Sequence, residues 1–179
     1  MDPTLREELI AMRDEDLCVR EELLQTGELG RGYAPRMEAI HRRNALRLRE
    51  IISEHGWPDR ELVGADGTLA AWLIAQHAIG EPDFQRQALA LVREKVEQGK
   101  VPAAQEAYLL DRIAMYEGRP QSFGTQSLPC ADGKYRRWKT EDPQHLNERR
   151  IAVGMPAVAD EYLEWLRGYE DWLRRTGWR

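Results

Sequence analysis

The sequence predicts a mainly α-helical single domain with one small irregular or hairpin insert. Apolar residues recur at steps of three and four along most of the chain, which is the period of an amphipathic helix. Gly and Pro separate these stretches and crowd into one segment, 118–140. A chain of 179 residues with 42% apolar content can bury one core. We therefore expect residues 1–179 to form one bundle of six or seven helices.

Start and stop signals set the order of these helices. Proline suits the first turn of a helix, and Pro3, Pro35, Pro82 and Pro102 each precede an apolar stripe. Asp66 or Thr68 is expected to cap the third helix after a Gly- and Pro-rich loop at 56–67. The predicted helices span 3–26, 35–55, 69–79, 81–98, 102–117, 142–153 and 157–176.

The segment between the fifth and sixth helices has the weakest helical pattern. Asp132-Gly133 is a signal for a tight turn, and it lies between two short runs, 122–128 and 134–139. These runs are predicted to pair as strands. We therefore expect the hairpin or irregular insert near 122–139.

Composition excludes several classes of protein. A net charge of −5 argues against a general nucleic-acid binder. No apolar run approaches the roughly 20 residues that span a bilayer, and the N-terminal residues lack the apolar block of a signal peptide. Cys18 and Cys130 have no metal-like spacing, so reduced thiols and a cytoplasmic location are expected. The last predicted helix carries Trp165 and Trp172, which either dock on the protein's own core or form a homodimer face.

Polar residues on faces that the periodicity assigns to the core are the main functional signal. Burying such a group costs roughly 1–3 kcal/mol unless it is paired. The groups either satisfy one another or line a polar pocket between helices, as helical bundles often do. They come in three pairs on three separate helices: His41 with Asn44, Gln76 with His77, and Asp111 with Arg112.

A short polar loop follows the helix that contains Asp111. In Gln121–Gln126, two amide side chains flank Gly124-Thr125, and the amides and backbone N–H groups can bind carboxylates, amides or bases. Gly124 permits a positive φ or a close backbone approach. A plain turn before the hairpin is the alternative interpretation.

Together these blocks resemble an uncharacterised bacterial domain family, domain-of-unknown-function family 6624. The likeness covers about residues 34–154, and Phe123 stands where the family usually has Tyr. The resemblance implies one site that contains Gln76, His77, Asp111, Arg112, Gln121 and Gln126, and it implies no activity. The motifs that carry it are Gly56-Trp57-Pro58, Val63-Gly64, Gly67, Ala71-Trp72-Leu73, Gln76-His77, Gln85, Tyr108-Leu109, Asp111-Arg112, Gly118, Gln121, Gly124-Thr125-Gln126, Asn147 and Arg149-Arg150.

The residue types favour acid/base chemistry without a metal or cofactor. His77 has a reference pKa near neutrality, and Asp111 is expected either to orient it or to act as the base. Arg112 suits a carboxylate or phosphate, so the predicted substrate is small, polar and anionic. The predicted reaction is of hydrolase, cyclase, lyase or isomerase type. Substrate binding is assigned to Gln76, Arg112, Gln121, Thr125, Gln126, His41 and Asn44.

Two other functions remain open. A non-catalytic module that binds a small ligand or another protein would use the same pocket. A Zn- or Fe-dependent enzyme would use His77 and Asp111 as ligands, although the sequence has no His-x-x-x-His or Cys-x-x-Cys spacing.

Overall fold

The computed structural model describes residues 1–29, 32–129 and 135–159. Its chain divides into two compact units, Met1–Leu109 and Leu110–Arg179. The described residues form six α-helices and one two-stranded antiparallel hairpin, so the predicted mainly helical fold class is confirmed. The single-domain organisation stays a prediction.

Most helices begin where the sequence signals indicated. Four have Pro in the first turn or directly before it, and α1 is also capped by Asp2, whose carboxylate accepts a hydrogen bond from the N–H of Leu5 at 3.0 Å. None of the described helices is both long and apolar enough to cross a membrane. The helices are α1 (Pro3–Gln25), α2 (Pro35–His55), α3 (Arg60–His77), α4 (Pro82–Glu97), α5 (Ala103–Tyr116) and α6 (Leu146–Ala152), the last preceded by a 3₁₀ turn at Pro143–His145.

The core of the first unit lies between α1, α2 and α3, with α4 against α3. Asn44 of α2 reaches across to α1, where its amide nitrogen donates to the carbonyl oxygen of Met12 at 3.2 Å. This bond fixes the register of α1 against α2. Apolar side chains of all four helices fill the core, including Leu5, Leu9, Leu48, Ile51, Val63, Ile74, Phe84, Ala88 and Val92.

The third helix begins earlier than its pattern indicated, so the predicted loop at 56–67 and start at Leu69 were wrong. Asp59 is the N-cap and accepts from the N–H groups of Glu61 and Leu62 at 3.0 and 3.2 Å. Gly64 interrupts the helical geometry with φ 73° and ψ 174°. Because glycine adopts positive φ without strain, the chain turns there and continues as a helix.

The hairpin is shorter than predicted. Strands β1 (Ser127–Pro129) and β2 (Tyr135–Arg137) pair antiparallel, with Leu128 opposite Arg136. Of the predicted last helix, residues 157–159 are not helical, and the rest lies outside the described residues with Trp165 and Trp172.

Gly67 gives a test of how closely α3 is packed. A Cβ there would lie 2.8 Å from Cβ of Val63 and 3.4 Å from Cγ of Arg6. We expect Gly67→Ala to lower the free energy of unfolding by about 2 kcal/mol, as overpacking does. Helix propensity alone predicts the opposite sign, a gain of about 1 kcal/mol.

Gly80→Ala is the matched control. Its Cβ would meet only the Tyr33 ring, at an ordinary 3.5 Å, so we expect a change within about 0.5 kcal/mol. Urea unfolding measures the free energy of unfolding of both variants. Equal changes in the two variants would contradict the packing argument.

Candidate functional site

A buried carboxylate with two imidazoles against it lies inside the first unit. Asp16 of α1 is 1% exposed, and its carboxylate oxygens lie 3.0 and 2.9 Å from Nδ1 of His77 at the end of α3. Nε2 of His41, from α2, is 3.3 Å from Oδ2 of the same carboxylate. The three groups offer ligating atoms that all lie within 4.8 Å of one another. We call these three residues the Asp–His–His cluster.

The sequence places Asp16 inward because it lies on the apolar stripe of α1. Leu5, Leu9 and Leu23 are the other buried positions of this helix, and they are separated from Asp16 by steps that fit whole helical turns. Asp16 was not among the residues predicted from the sequence, although its register on that stripe is a signal that could have identified it.

The two histidines keep Asp16 in its charged form. Burial alone would raise the pKa of this carboxyl, but the hydrogen bonds with His77 and the charge interactions with both imidazoles outweigh that effect and hold its pKa well below the usual value. Asp16 is therefore an anion at neutral pH. A buried anion needs partners, and the cluster supplies them from two other helices.

His41 is held at one ring nitrogen and not at the other. Its Nδ1 is 2.8 Å from the hydroxyl oxygen of Tyr33. Its Nε2 is buried and makes no hydrogen bond with any residue that the structure describes. The atom lies 3.3 Å from Asp16, but the angle between the two groups is unsuitable for a hydrogen bond. A cavity of about 70 Å³ borders this ring, lined by Tyr33, Glu38, His41, Arg42, Ala78, Gly80 and Glu81.

Gln76 lies next to His77 in sequence and is only 3% exposed. Neither the nitrogen nor the oxygen of its side-chain amide has a hydrogen-bond partner among the described residues. Asn44, by contrast, has its partner on Met12. The substrate-binding roles assigned to Gln76, His41 and Asn44 stay predictions.

In the second unit, Asp111 of α5 organises the polar loop that follows this helix. Its Oδ1 accepts from the N–H groups of Ser122 and Phe123 at 2.7 and 3.0 Å. Its Oδ2 accepts from the N–H of Thr125 at 3.0 Å and from the Thr125 hydroxyl at 2.9 Å. Burial raises the pKa of Asp111, and these donors act in the opposite direction.

The two glutamines that flank this loop complete its internal bonding. Gln121 is fully buried, and its side-chain nitrogen donates to the carbonyl oxygens of Gln126 and Trp138 at 3.1 and 2.8 Å. Its side-chain oxygen accepts from the N–H of Gln126 at 2.7 Å. The described contacts of Asp111, Gln121 and Thr125 thus hold the loop in one conformation.

The structure gives His77 a carboxylate partner that the sequence did not predict. Asp16 is hydrogen-bonded to Nδ1 of His77. His77 belongs to the first unit and Asp111 to the second, with half-buried Arg112 beside it. A common cavity for His77, Asp111 and Gln121 stays a prediction, as do their catalytic and substrate-binding roles.

Comparison with known proteins identifies the family of the chain. Residues 3–172 match the model of a protein family described as a family of unknown function, DUF6624. The match is longer than the expected 34–154, and it includes α1 and therefore Asp16. No curated protein and no solved structure matches the chain.

Replacing Asp16 tests the electrostatics of the cluster. We expect Asp16→Asn to lower the free energy of unfolding by about 3 kcal/mol at pH 7, because it removes the buried charge that both imidazoles face. The folded-state pKa of Asp16 is lowered from 3.8, so its stabilisation is present above that pH and is lost as the pH falls below it.

The difference in free energy of unfolding between wild type and Asp16→Asn should therefore become smaller as the pH is lowered from 7 to 3. Urea unfolding at a series of pH values measures it. Asp14→Asn is the control, since Asp14 is largely exposed and pairs with Arg13; a change within about 0.5 kcal/mol is expected. A difference that stays constant with pH would contradict the assigned charge.

Asp111→Asn tests the loop in the second unit. An amide nitrogen cannot accept a hydrogen bond, so whichever way the Asn amide turns, its nitrogen faces at least two groups that donated to a carboxylate oxygen. We expect a loss of about 3 kcal/mol in stability and faster hydrogen exchange at Phe123 and Thr125. Exchange rates equal to those in Asp142→Asn, at an exposed carboxylate near the loop, would contradict this role.

Proposed function

Because the chain belongs to DUF6624, a family of unknown function, we propose a function from the chemistry of the Asp–His–His cluster. We propose that the protein is a small metal-dependent enzyme of hydrolase or lyase type, with Asp16, His41 and His77 as ligands of Zn²⁺ or Fe²⁺. The observation that carries this proposal is the convergence of one carboxylate and two imidazoles within 4.8 Å.

The spacing of the donor atoms suits a small divalent ion. Two donors that each lie about 2.0–2.1 Å from a tetrahedral Zn²⁺ are about 3.3 Å apart. Oδ2 of Asp16 is 3.3 Å from Nε2 of His41 and 2.9 Å from Nδ1 of His77. All three donor atoms lie within 4.8 Å of one another, so the remaining separation exceeds the tetrahedral one by at most about 1.5 Å, which side-chain rotation can close.

The charge of the cluster supports a cation as well. Asp16 is anionic, because both histidines hold its pKa below the usual value. His41 has a buried nitrogen that faces this carboxylate without a hydrogen bond. A metal ion between them would give that nitrogen a partner and would balance the buried negative charge.

Two histidines and one carboxylate are a ligand set of catalytic sites. Three protein ligands leave a coordination position open, and a metal there supplies an activated water or a polarised carbonyl group. The cavity beside His41 would admit only a small polar group, in keeping with the small anionic substrate expected from the sequence.

The exposed, unpaired thiol of Cys18 supports the expected cytoplasmic location.

A second candidate is metal-free acid/base catalysis. The contacts of 3.0 and 2.9 Å between Nδ1 of His77 and the carboxylate of Asp16 support it. A carboxylate in this position fixes the imidazole tautomer and stabilises its protonated form. In this mechanism His77 would transfer the proton and Asp16 would take the orienting role assigned above to Asp111.

Metal binding distinguishes the two proposals. Titration of the metal-free protein with Zn²⁺, Fe²⁺ or Co²⁺ should show one tight site by calorimetry. We expect His41→Ala, His77→Ala and Asp16→Ala each to weaken binding by 100-fold or more, since even outer-shell substitutions at metal sites cost about 10–100-fold.

The exposed histidines provide matched controls. His145→Ala, and likewise His55→Ala, should leave the affinity within about twofold, because the ion pairs described for these residues are with Asp142 and with Glu54, outside the cluster. Failure of all three metals to bind would reject the metal proposal and leave acid/base catalysis. If the control variants lost as much metal affinity as the cluster variants, the metal would bind elsewhere on the chain.

A further inference from the structure

Tyr33 is the neighbour of the cluster that no sequence motif indicates. It precedes α2, and its hydroxyl oxygen lies 2.8 Å from Nδ1 of His41. The two rings are tilted at 30° with centroids 5.7 Å apart. We infer that Tyr33 is a positioning residue whose hydroxyl fixes His41 with its proton on Nδ1, so that the Nε2 lone pair points toward Asp16. This inference rests on the proposed metal function.

The position of the Tyr33 ring is determined by its packing. Tyr33 packs against a small apolar cluster of Leu23, Ala34 and Met37. On another side, Cε1 of the ring lies 3.5 Å from where a Cβ of Gly80 would be. Groups from α1, α2 and the link between α3 and α4 thus surround this ring, which keeps the hydroxyl near His41.

In the hydrogen bond between the Tyr33 hydroxyl and Nδ1 of His41, either group can be the donor. Which of them donates depends on the tautomer of His41. If Tyr33 donates to Nδ1, the ring proton is on Nε2, and a metal cannot bind there. If Nδ1 carries the proton and donates to Tyr33, the Nε2 lone pair is available for a metal. In the structure Nε2 is buried and makes no hydrogen bond to Asp16.

The absence of a bond at Nε2 favours the second arrangement. A proton on Nε2 would be drawn into line with the anionic carboxylate 3.3 Å away, because charge-assisted bonds are short and directional. Metal-binding histidines commonly donate their other ring N–H to an oxygen acceptor, and the Tyr33 hydroxyl occupies that place. Tyr33 is therefore the outer-shell hydrogen-bond acceptor that fixes the tautomer of His41.

The experiment compares wild type, Tyr33→Phe and Tyr108→Phe. Tyr108 is the control, since its ring packs edge-on against Trp72 and not on a histidine. Zn²⁺ affinity is measured by calorimetry from pH 5.5 to 8. We expect Tyr33→Phe to bind Zn²⁺ about 10–100-fold more weakly and to shift the pH dependence of binding, whereas Tyr108→Phe leaves both unchanged.

A second readout needs no metal and would not respond to a role in packing alone. Nitrogen chemical shifts of the histidine rings, recorded on metal-free protein, report which nitrogen carries the proton. We expect the Nδ1–H form of His41 in wild type and a mixture of both forms in Tyr33→Phe. An Nε2–H form in wild type, or an unchanged tautomer in the variant, would overturn the inference.

The two readouts also separate this inference from the proposed function. If wild type binds no metal but the tautomer depends on Tyr33, the metal proposal fails while the positioning contact stands. If wild type binds Zn²⁺ and Tyr33→Phe binds it within twofold of wild type, the metal proposal stands and Tyr33 has no positioning role.

Discussion

The carboxylate of Asp16 is the constraint on which the first unit depends. An anion that is 1% exposed must be compensated, and here the compensation comes from imidazoles on two other helices. The contact with His41 requires that α2 turns this residue toward α1. The contact with His77 requires that the end of α3 also faces α1. The bond from Asn44 to the carbonyl of Met12, one turn before Asp16, holds α1 and α2 in the same register. Polar groups thus specify how this apolar core is arranged.

The helices could be predicted from the sequence where Pro and Gly mark their ends, as for α2, α4 and α5. The periodic patterns also placed His41, Asn44, Gln76 and Asp111 inward, and all four are buried. Side-chain partners could not be predicted in this way, because periodicity identifies the inward face of a helix but not the helix that it meets. For this reason the sequence pattern did not identify Asp16 of α1 as a partner of His77.

In the second unit, too, the partners of buried polar side chains could not be predicted from the sequence. The polar loop after α5 has the residue types of a binding loop, and the sequence favoured recognition of a ligand as strongly as a turn. In the structure, the amides of Gln121 and the carboxylate of Asp111 bond to the loop's own backbone. Buried polar side chains that serve the backbone cannot be distinguished, by residue type alone, from those that serve a ligand. Gln76 is the contrasting case, because its amide has no hydrogen-bond partner in the described part of the chain.

The three members of the Asp–His–His cluster are far apart in sequence, at positions 16, 41 and 77. An ion held by all three would join the chain into two long closed loops, as a pair of cross-links would. The unfolded chain cannot offer this arrangement, so uptake of the ion and folding of α1, α2 and α3 would form one linked equilibrium. The folded fraction of the protein would then rise with the concentration of free metal ion.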